Sequence, residues 1–245
     1  RQPLVTLDLD AARHLDFLIR TTTIGAIVGA VALRYVHVQY QWQRNVESEA
    51  RSRIAALQAR IRPHFLFNSM NTIVSFIRSQ PDVAEQVVED LSDLFRASLA
   101  TEDSHATLAS ELEIARGYLR IEALRLGDRL RLEWDVDGLP GDAILPRLTL
   151  QPLVENAVYH GIERLKSGGT ISVVGQGVDG MLSLRVTNPI PANAEPLPGH
   201  QIAQANVRER LVHHFGASAK FDVRTHAESY EVLVVVPFER AEARA

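Results

Sequence analysis

The spacing of apolar residues changes near Asp128, and this change limits the fold to an α-helical part followed by an α+β part. Upstream, apolar residues recur at steps of three and four, which is the spacing of one helix face. Downstream, apolar and polar residues alternate through residues 130–136, as in a half-buried strand. An antiparallel-leaning sheet with helices on one face would accommodate this pattern. Further strands are predicted at 170–174, 181–186 and 231–238, with helices at 148–161 and 207–215.

The first helical pair is predicted to form a hairpin. One helix runs through residues 44–79, residues 80–82 (Gln-Pro-Asp) break it, and the second helix covers residues 83–99. Two helices joined by a short turn cannot bury both of their faces. We therefore expect two copies of the chain to complete a homodimeric four-helix bundle.

A third helix is predicted at residues 108–126. Glu111 and Glu113 lie near its start, where negative charge suits the positive end of the helix dipole. Arg125 lies near its end, where a positive charge is favourable for the same reason.

The N-terminal segment contains a charge-free stretch, residues 21–33, between Arg20 and Arg34. As a helix this stretch is ~20 Å long, shorter than the ~30 Å hydrocarbon core of a bilayer, unless both arginines snorkel and flanking apolar residues join it. Aromatic residues and further arginines follow on one side, which resembles an interfacial belt on the cytoplasmic side. Two interpretations are open: a membrane-spanning helix with the rest of the chain in the cytoplasm, and a buried helix of a soluble domain.

Composition excludes several kinds of site. The 245 residues include no cysteine, which rules out disulfide scaffolds, thiolate nucleophiles and cysteine-rich zinc sites. The net charge of -4 gives no general reason to bind nucleic acid directly. Because the chain begins at Arg1 rather than methionine, we expect it to be part of a longer protein.

A histidine lies on the continuation of an apolar helix face. The stripe in residues 54–61 continues by three residues to His64 and by four more to Asn68, one turn further on the same face. Pro63 precedes the histidine and is expected to bend the helix, because proline cannot donate the backbone hydrogen bond. A neutral imidazole is a good nucleophile near pH 7. The alternative is a structural histidine that is hydrogen-bonded in the helix seam.

A second polar cluster lies on the predicted helix at residues 148–161. Its members, Glu155, Asn156, Tyr159 and His160, are expected to lie away from the apolar stripe of that helix. The amide oxygen of Asn156 could bind a hard cation such as Mg²⁺ that bridges phosphates. The alternative is the solvent-facing side of an amphipathic helix.

A loop rich in proline, asparagine and alanine, residues 189–198, is long enough to form a mobile lid. Gly199 follows it at the start of the next helix, where backbone amides can face an anion. Arg208 and Arg210 project from nearly opposite sides of that helix. We assign Arg208 to a nucleotide pocket and Arg210 to a structural ion pair.

Three sequence motifs resemble those of the LytS-type sensor histidine kinases, most closely their AlgZ/FimS branch. They are RPHFLFNSMN at 62–71, LQPLVENAVYHG at 150–161 and NVRERL at 206–211. The resemblance covers roughly residues 45–238 and implies a bacterial inner-membrane protein. It divides the chain into a last transmembrane helix with its flanks (1–43), dimerisation and phosphotransfer helices (44–126) and a GHKL-type (Bergerat) α/β-sandwich ATP-binding domain (127–245).

The resemblance also implies a role for each motif residue. His64 is the phosphorylated residue, Asn68 orients water for dephosphorylation of the partner, and Asn156 holds Mg²⁺·ATP. The remaining residues expected to bind ATP are Glu155, His160, Asn188, Gly199, Asn206 and Arg208.

The chain departs from the family pattern at three places. The usual Asp-Gly loop is Thr-Asn-Pro at 187–189, so Asn188 would accept the hydrogen bond of the adenine amino group without charge assistance. The Gly-x-Gly of the lid is Gly-His-Gln at 199–201. Phe65 rather than an acid follows His64, so the general base that other kinase families place there is missing.

The function implied is Mg²⁺·ATP-dependent autophosphorylation of His64, followed by transfer to an aspartate of a response regulator, commonly of the LytTR type. Bending at Pro63 would control whether His64 reaches the nucleotide. The alternative is a dimeric membrane scaffold with a degenerate nucleotide pocket, which holds the regulator and removes its phosphate.

Overall fold

The computed structural model describes residues 17–27, 29–42, 63–99, 105–192 and 200–238. The chain divides into two compact units, residues 1–60 and residues 61–245. The predictions for residues 43–62, including the bend ahead of His64, and for most of the lid lie outside the described residues. The domain boundary at 126/127 stays a prediction.

The first unit contains one described helix, α1 (Phe17–Trp42), which is long and apolar enough to cross a membrane by length and composition. Its described side chains are exposed, which does not fit the buried helix of a soluble domain. The hydroxyls of Thr21, Thr22 and Thr23 donate to carbonyls one turn back, at 2.7–2.8 Å. Polar side chains satisfied within their own helix suit an apolar surrounding. Membrane placement stays a prediction.

The second unit begins with three helices, α2 (Pro63–Phe76), α3 (Pro81–Leu99) and α4 (Leu108–Leu126). The predicted break before α3 and the predicted bounds of α4 are confirmed. Proline stands at the first position of α3, where its missing N–H costs nothing. The side chain of Thr107 caps α4 by accepting a hydrogen bond from the Ser110 N–H at 3.2 Å.

The main sheet has five strands, in the order β2 (Leu130–Asp135), β4 (Gly169–Val178), β5 (Met181–Pro189), β7 (Ser229–Pro237) and β6 (Lys220–Thr225). β2 pairs with β4 in parallel and the other pairs are antiparallel, so the antiparallel-leaning sheet is confirmed. A second, two-stranded sheet joins β1 (His105–Thr107) and β3 (Ile144–Pro146), and neither strand was predicted because each has three residues.

The helix predicted at 148–161 is shorter and less regular than expected. Leu148 has a φ of +57°, which L-residues rarely adopt and which is not helical, so α5 begins only after it and covers Gln151–Asn156. A π-helical turn (Ala157–Gly161) and a 3₁₀ turn (Ile162–Arg164) follow it. The predicted apolar stripe of this region is nevertheless fully buried: Leu150, Leu153, Val154, Ala157 and Val158.

The last helix, α6 (His200–Phe215), starts seven residues before the predicted one, because its first two turns are mostly polar. Val207, Leu211 and Phe215 are buried as predicted. The apolar sides of α4, α5 and α6 share one core with the sheet, in which the residues of β7 alternate between buried and half-buried.

Candidate functional site

His64 lies in the first turn of α2 with an exposed imidazole. The side-chain amide nitrogen of Asn68 is 3.2 Å from Nδ1 and 3.3 Å from Nε2 of the same ring. The amide therefore lies beside the ring edge that carries both nitrogens. The predicted one-turn pairing of these two side chains is present.

The neighbouring residues fix the orientation of α2. The ring of Phe65 packs on that of Tyr118 in α4, with centroids 5.0 Å apart. Ser69 and Thr72 are buried, and their hydroxyls donate to carbonyls of α2 itself at 2.8 and 3.0 Å. Helix α2 thus packs one face against the core and presents His64 at its edge.

A buried ion cluster lies on α4, the helix against which α2 packs. Glu122 of α4 is 3% exposed, and its Oε2 accepts a hydrogen bond from Arg125 Nε at 2.7 Å. Arg125 Nη2 contacts both Glu122 and Glu163, so the arginine bridges two carboxylates. Burial raises the pKa of Glu122, whereas the charges of Arg125 and of a protonated His64 lower it.

The second predicted cluster is only partly solvent-facing. Asn156 is 4% exposed, so the alternative of a solvent-facing helix side does not hold for this residue. Glu155 is half-buried and accepts a hydrogen bond from Gln151 Nε2 at 2.9 Å. His160 is half-buried, and Tyr159, exposed at 43%, meets its ring edge-to-face with centroids 4.8 Å apart.

Asn188 is brought to the end of this segment. It is 3% exposed near the end of β5, and its Nδ2 donates to the carbonyl of Pro189 at 2.9 Å. A Cβ on Gly161 would lie 2.4 Å from that Nδ2, so only glycine fits here. Sequence reasoning missed Gly161 as a site residue, although it ends the second motif. The glycine allows Asn188 to pack against the segment that carries Asn156.

The remaining residues predicted to bind the nucleotide lie at the lid and on α6. Gly199 lies outside the described residues. Asn206 and Arg208 are exposed on α6. Arg208 lines a shallow cavity of about 200 Å³ between α6 and β6, together with Phe221 and Asp222.

Arg210 is half-buried and contacts the turn before α5. Its Nη2 donates to the carbonyl of Leu148 at 2.7 Å, and its charge lowers the pKa of Glu111. A structural ion pair was predicted for Arg210, and its hydrogen bond to the Leu148 carbonyl is a structural contact with the backbone.

Glu111 is a structural residue of the site that sequence reasoning assigned only to the dipole of α4. Its carboxylate is 1% exposed and accepts three backbone N–H bonds, from Leu148 (2.8 Å), Thr149 (2.8 Å) and Leu150 (2.9 Å). Burial raises the pKa of Glu111. The three backbone donors and the charge of Arg210 lower this pKa, but the effect of burial is larger. The available signal was an acid within the buried stripe of α4, between Leu108 and residues 112–115.

Comparisons with known proteins agree with the motifs. The sequence model of the family described as histidine kinase matches residues 52–130. BtsS of Escherichia coli K12, a sensor histidine kinase, is 32% identical over 220 residues, which are 87% of this chain and 38% of BtsS. LytS of Staphylococcus aureus Mu50, a sensor histidine kinase/phosphatase, is 33% identical over 208 residues, which are 77% of this chain and 35% of LytS. The chain thus spans less than two-fifths of these relatives.

This chain was also compared with a solved structure of the Acinetobacter baumannii histidine kinase AdeS. The aligned part covers 78% of this chain and 98% of the AdeS chain, at 15% identity and a TM-score of 0.41. This structural likeness is low, and the assignment depends on the family match and the sequence relatives. The AlgZ/FimS branch stays a prediction. The chain belongs to the LytS-type sensor histidine kinase family.

Proposed function

We propose that the chain is a protein histidine kinase that uses Mg²⁺·ATP to phosphorylate His64 and passes the phosphoryl group to an aspartate of a response regulator, of LytTR type. The observation that carries the proposal is the exposed imidazole of His64, whose two nitrogens lie beside the Asn68 amide. It lies within the part of the chain that matches the histidine kinase family.

The proposed reaction needs little covalent chemistry from the protein. A neutral ring nitrogen of His64 attacks the γ-phosphorus in line, and the bond to the β,γ-bridging oxygen breaks. Positioning and charge neutralisation supply most of the rate enhancement in phosphoryl transfer. Bound Mg²⁺ neutralises phosphate charge.

The donor set fits a magnesium ion that is held mainly by phosphates. Among the described residues there is no group of three or more acidic or histidine side chains that could hold a metal. Magnesium commonly takes few protein ligands and keeps phosphate and water oxygens. Asn156 would supply the protein oxygen, and its burial would fix the position of that oxygen. Glu155, His160, Gly199, Asn206 and Arg208 are proposed around the nucleotide.

Asn188 is proposed to bind the adenine amino group. Its Nδ2 already donates to the Pro189 carbonyl, which fixes the orientation of the amide and turns Oδ1 the other way. An amide oxygen can accept a hydrogen bond from an amino group, although more weakly than a carboxylate. This contact would replace the aspartate of the usual Asp-Gly loop.

Replacing Asn156 by alanine is expected to weaken Mg²⁺·ATP binding at least about 10-fold, because one lost metal ligand or charge-assisted bond is worth roughly 1.4 kcal/mol or more. Isothermal calorimetry on the chain in detergent measures this, and Tyr159→Phe on the exposed side of the same segment serves as the control. The wild type should also acquire label on histidine from γ-³²P-ATP. No heat from the wild type at millimolar Mg²⁺·ATP would contradict the kinase.

That negative result would favour the alternative, a dimeric scaffold that dephosphorylates the regulator. One observation fits this alternative: an amide such as Asn68 beside the histidine could orient a water molecule toward a regulator phosphate. The relative LytS is itself named a kinase/phosphatase. Both activities share the His64–Asn68 pair, and only the kinase needs ATP.

A homodimer and membrane attachment through α1 are part of the proposal. Four large apolar side chains, three on one face of α2 and Ile77 in the turn directly after it, are exposed at 47–71%: Phe67, Met70, Val74 and Ile77. Their spacing of three and four residues forms one stripe along the helix. A second copy that covers this stripe would complete the four-helix bundle.

Replacing Val74 by aspartate is expected to dissociate the dimer, because a charge would then lie in the apolar stripe of α2 at the interface. Light scattering in detergent should show the protein mass fall to that of one chain. Val178→Asp is the matched control, since Val178 is 60% exposed at the end of β4, away from the stripe. A Val74→Asp protein that keeps the wild-type mass would contradict this interface.

A further inference from the structure

Glu122 of α4 is a buried carboxylate that the proposed reaction does not yet use. Its described hydrogen bond and ion pair are both made through Oε2, with Arg125. No described residue donates a hydrogen bond to Oε1. The carboxylate is thus held from one side, and one acceptor oxygen remains available.

Helix packing brings this carboxylate near His64. Phe65, the neighbour of His64, stacks on Tyr118 with ring centroids 5.0 Å apart, and Glu122 lies one turn after Tyr118 in α4. His64 and Glu122 therefore lie on two packed helices, each within about one turn of this ring contact, and the charge of His64 lowers the pKa of Glu122.

The sequence has no acid directly after His64, where Phe65 lies instead. We propose that Glu122, anchored by Arg125, is a positioning residue that replaces this acid from another helix. Its Oε1 accepts the N–H of the ring nitrogen that does not attack, and holds the neutral imidazole of His64 in one tautomer. This inference depends on the proposed kinase function for its role in catalysis.

The proton balance of the step follows from this arrangement. The lone pair of the attacking nitrogen forms the N–P bond, and the electrons of the broken P–O bond leave with ADP. The ring then carries a positive charge, which the facing carboxylate stabilises. The proton on the other nitrogen passes to Glu122 and then to water, which leaves neutral phosphohistidine. Burial raises the pKa of Glu122, which suits a proton acceptor.

The test is Glu122→Gln, which keeps the shape of the side chain and removes its charge. We expect the rate of autophosphorylation to fall by about 100-fold, the lower range for general acid–base help, with the KM for ATP unchanged. Glu113→Gln is the matched control on the same helix. Glu113 is 62% exposed and pairs with Arg120 at 3.0 Å, so its replacement should leave the rate within about 2-fold.

A second readout does not need ATP. The ¹⁵N shifts of the His64 ring, in chain labelled on histidine and assigned by difference from His64→Gln, report which nitrogen carries the proton. We expect one tautomer in the wild type and a mixture in Glu122→Gln, with the Glu113→Gln spectrum unchanged. A mixture already in the wild type would overturn the inference, even if the Glu122→Gln protein failed to fold.

The two readouts separate this inference from the kinase proposal. In one outcome, the wild type has a single His64 tautomer, Glu122→Gln has a mixture, and ATP labels neither protein. This outcome would support the contact between Glu122 and His64 and contradict the kinase function. If the wild type is labelled normally and Glu122→Gln changes neither the rate nor the tautomer, the kinase function is supported and the positioning role of Glu122 is contradicted.

Discussion

Replacing His64 by glutamine is expected to abolish the transfer of label from γ-³²P-ATP to histidine. Glutamine is similar in length and polarity and is a good helix former, so α2 should be retained. Its amide nitrogen is not a nucleophile, because its lone pair is delocalised into the carbonyl. The measurement is the acid-labile, base-stable label that remains on the protein after denaturation. The expected change is complete loss rather than a reduction.

The chain has nine histidines, so the loss must be specific to one of them. His226→Gln is the matched control, because His226 is also exposed and lies in the turn before β7. It should label like the wild type. Label on histidine in the His64→Gln protein would refute the assignment of the phosphorylated residue, whatever its amount relative to the control.

The parts of the fold that were predicted correctly depend on local sequence. Helix α4 has a regular apolar period, a threonine cap before it and Gly127 after it, and all three signals lie within a few residues. Strand β2 shows the alternation of burial that its sequence indicates. The strand β6 at the edge of the sheet was missed, because only two apolar residues, Phe221 and Val223, alternate with its charges and five of its six residues are exposed.

The parts that were missed depend on contacts between distant residues. The sequence near Asn156 does not indicate that this amide is buried, since α5 packs on α4 and α6, which are distant in the chain. The partners of Glu111 lie 37–39 residues away. The pairing of Arg125 with Glu163 spans 38 residues. These contacts connect α4, on which the helix with His64 packs, to the segment that carries Asn156, and helical spacing alone does not predict them.

Replacing Glu111 by alanine is expected to lower the free energy of unfolding by about 3–5 kcal/mol, the range for removing one partner of a buried charged network. The substitution leaves three backbone N–H groups at residues 148–150 without their acceptor, and each unsatisfied buried donor costs about 1–3 kcal/mol. It also removes the negative charge near Arg210. Chemical unfolding of the chain in detergent, followed by tryptophan fluorescence, measures the change.

Glu113→Ala on the exposed side of the same helix is the control, with an expected change within about 0.5 kcal/mol. Glu111→Gln should lie between the two, because an amide keeps one acceptor oxygen but points an N–H at a backbone donor. Equal stability of the Glu111→Ala and Glu113→Ala proteins would contradict the role of the carboxylate. Since the three N–H groups belong to the turn that starts α5, and Leu148 there has a φ of +57°, loss of their acceptor should also displace Asn156. Under conditions where the Glu111→Gln protein is folded, we therefore expect weaker Mg²⁺·ATP binding than in the Glu113→Ala control.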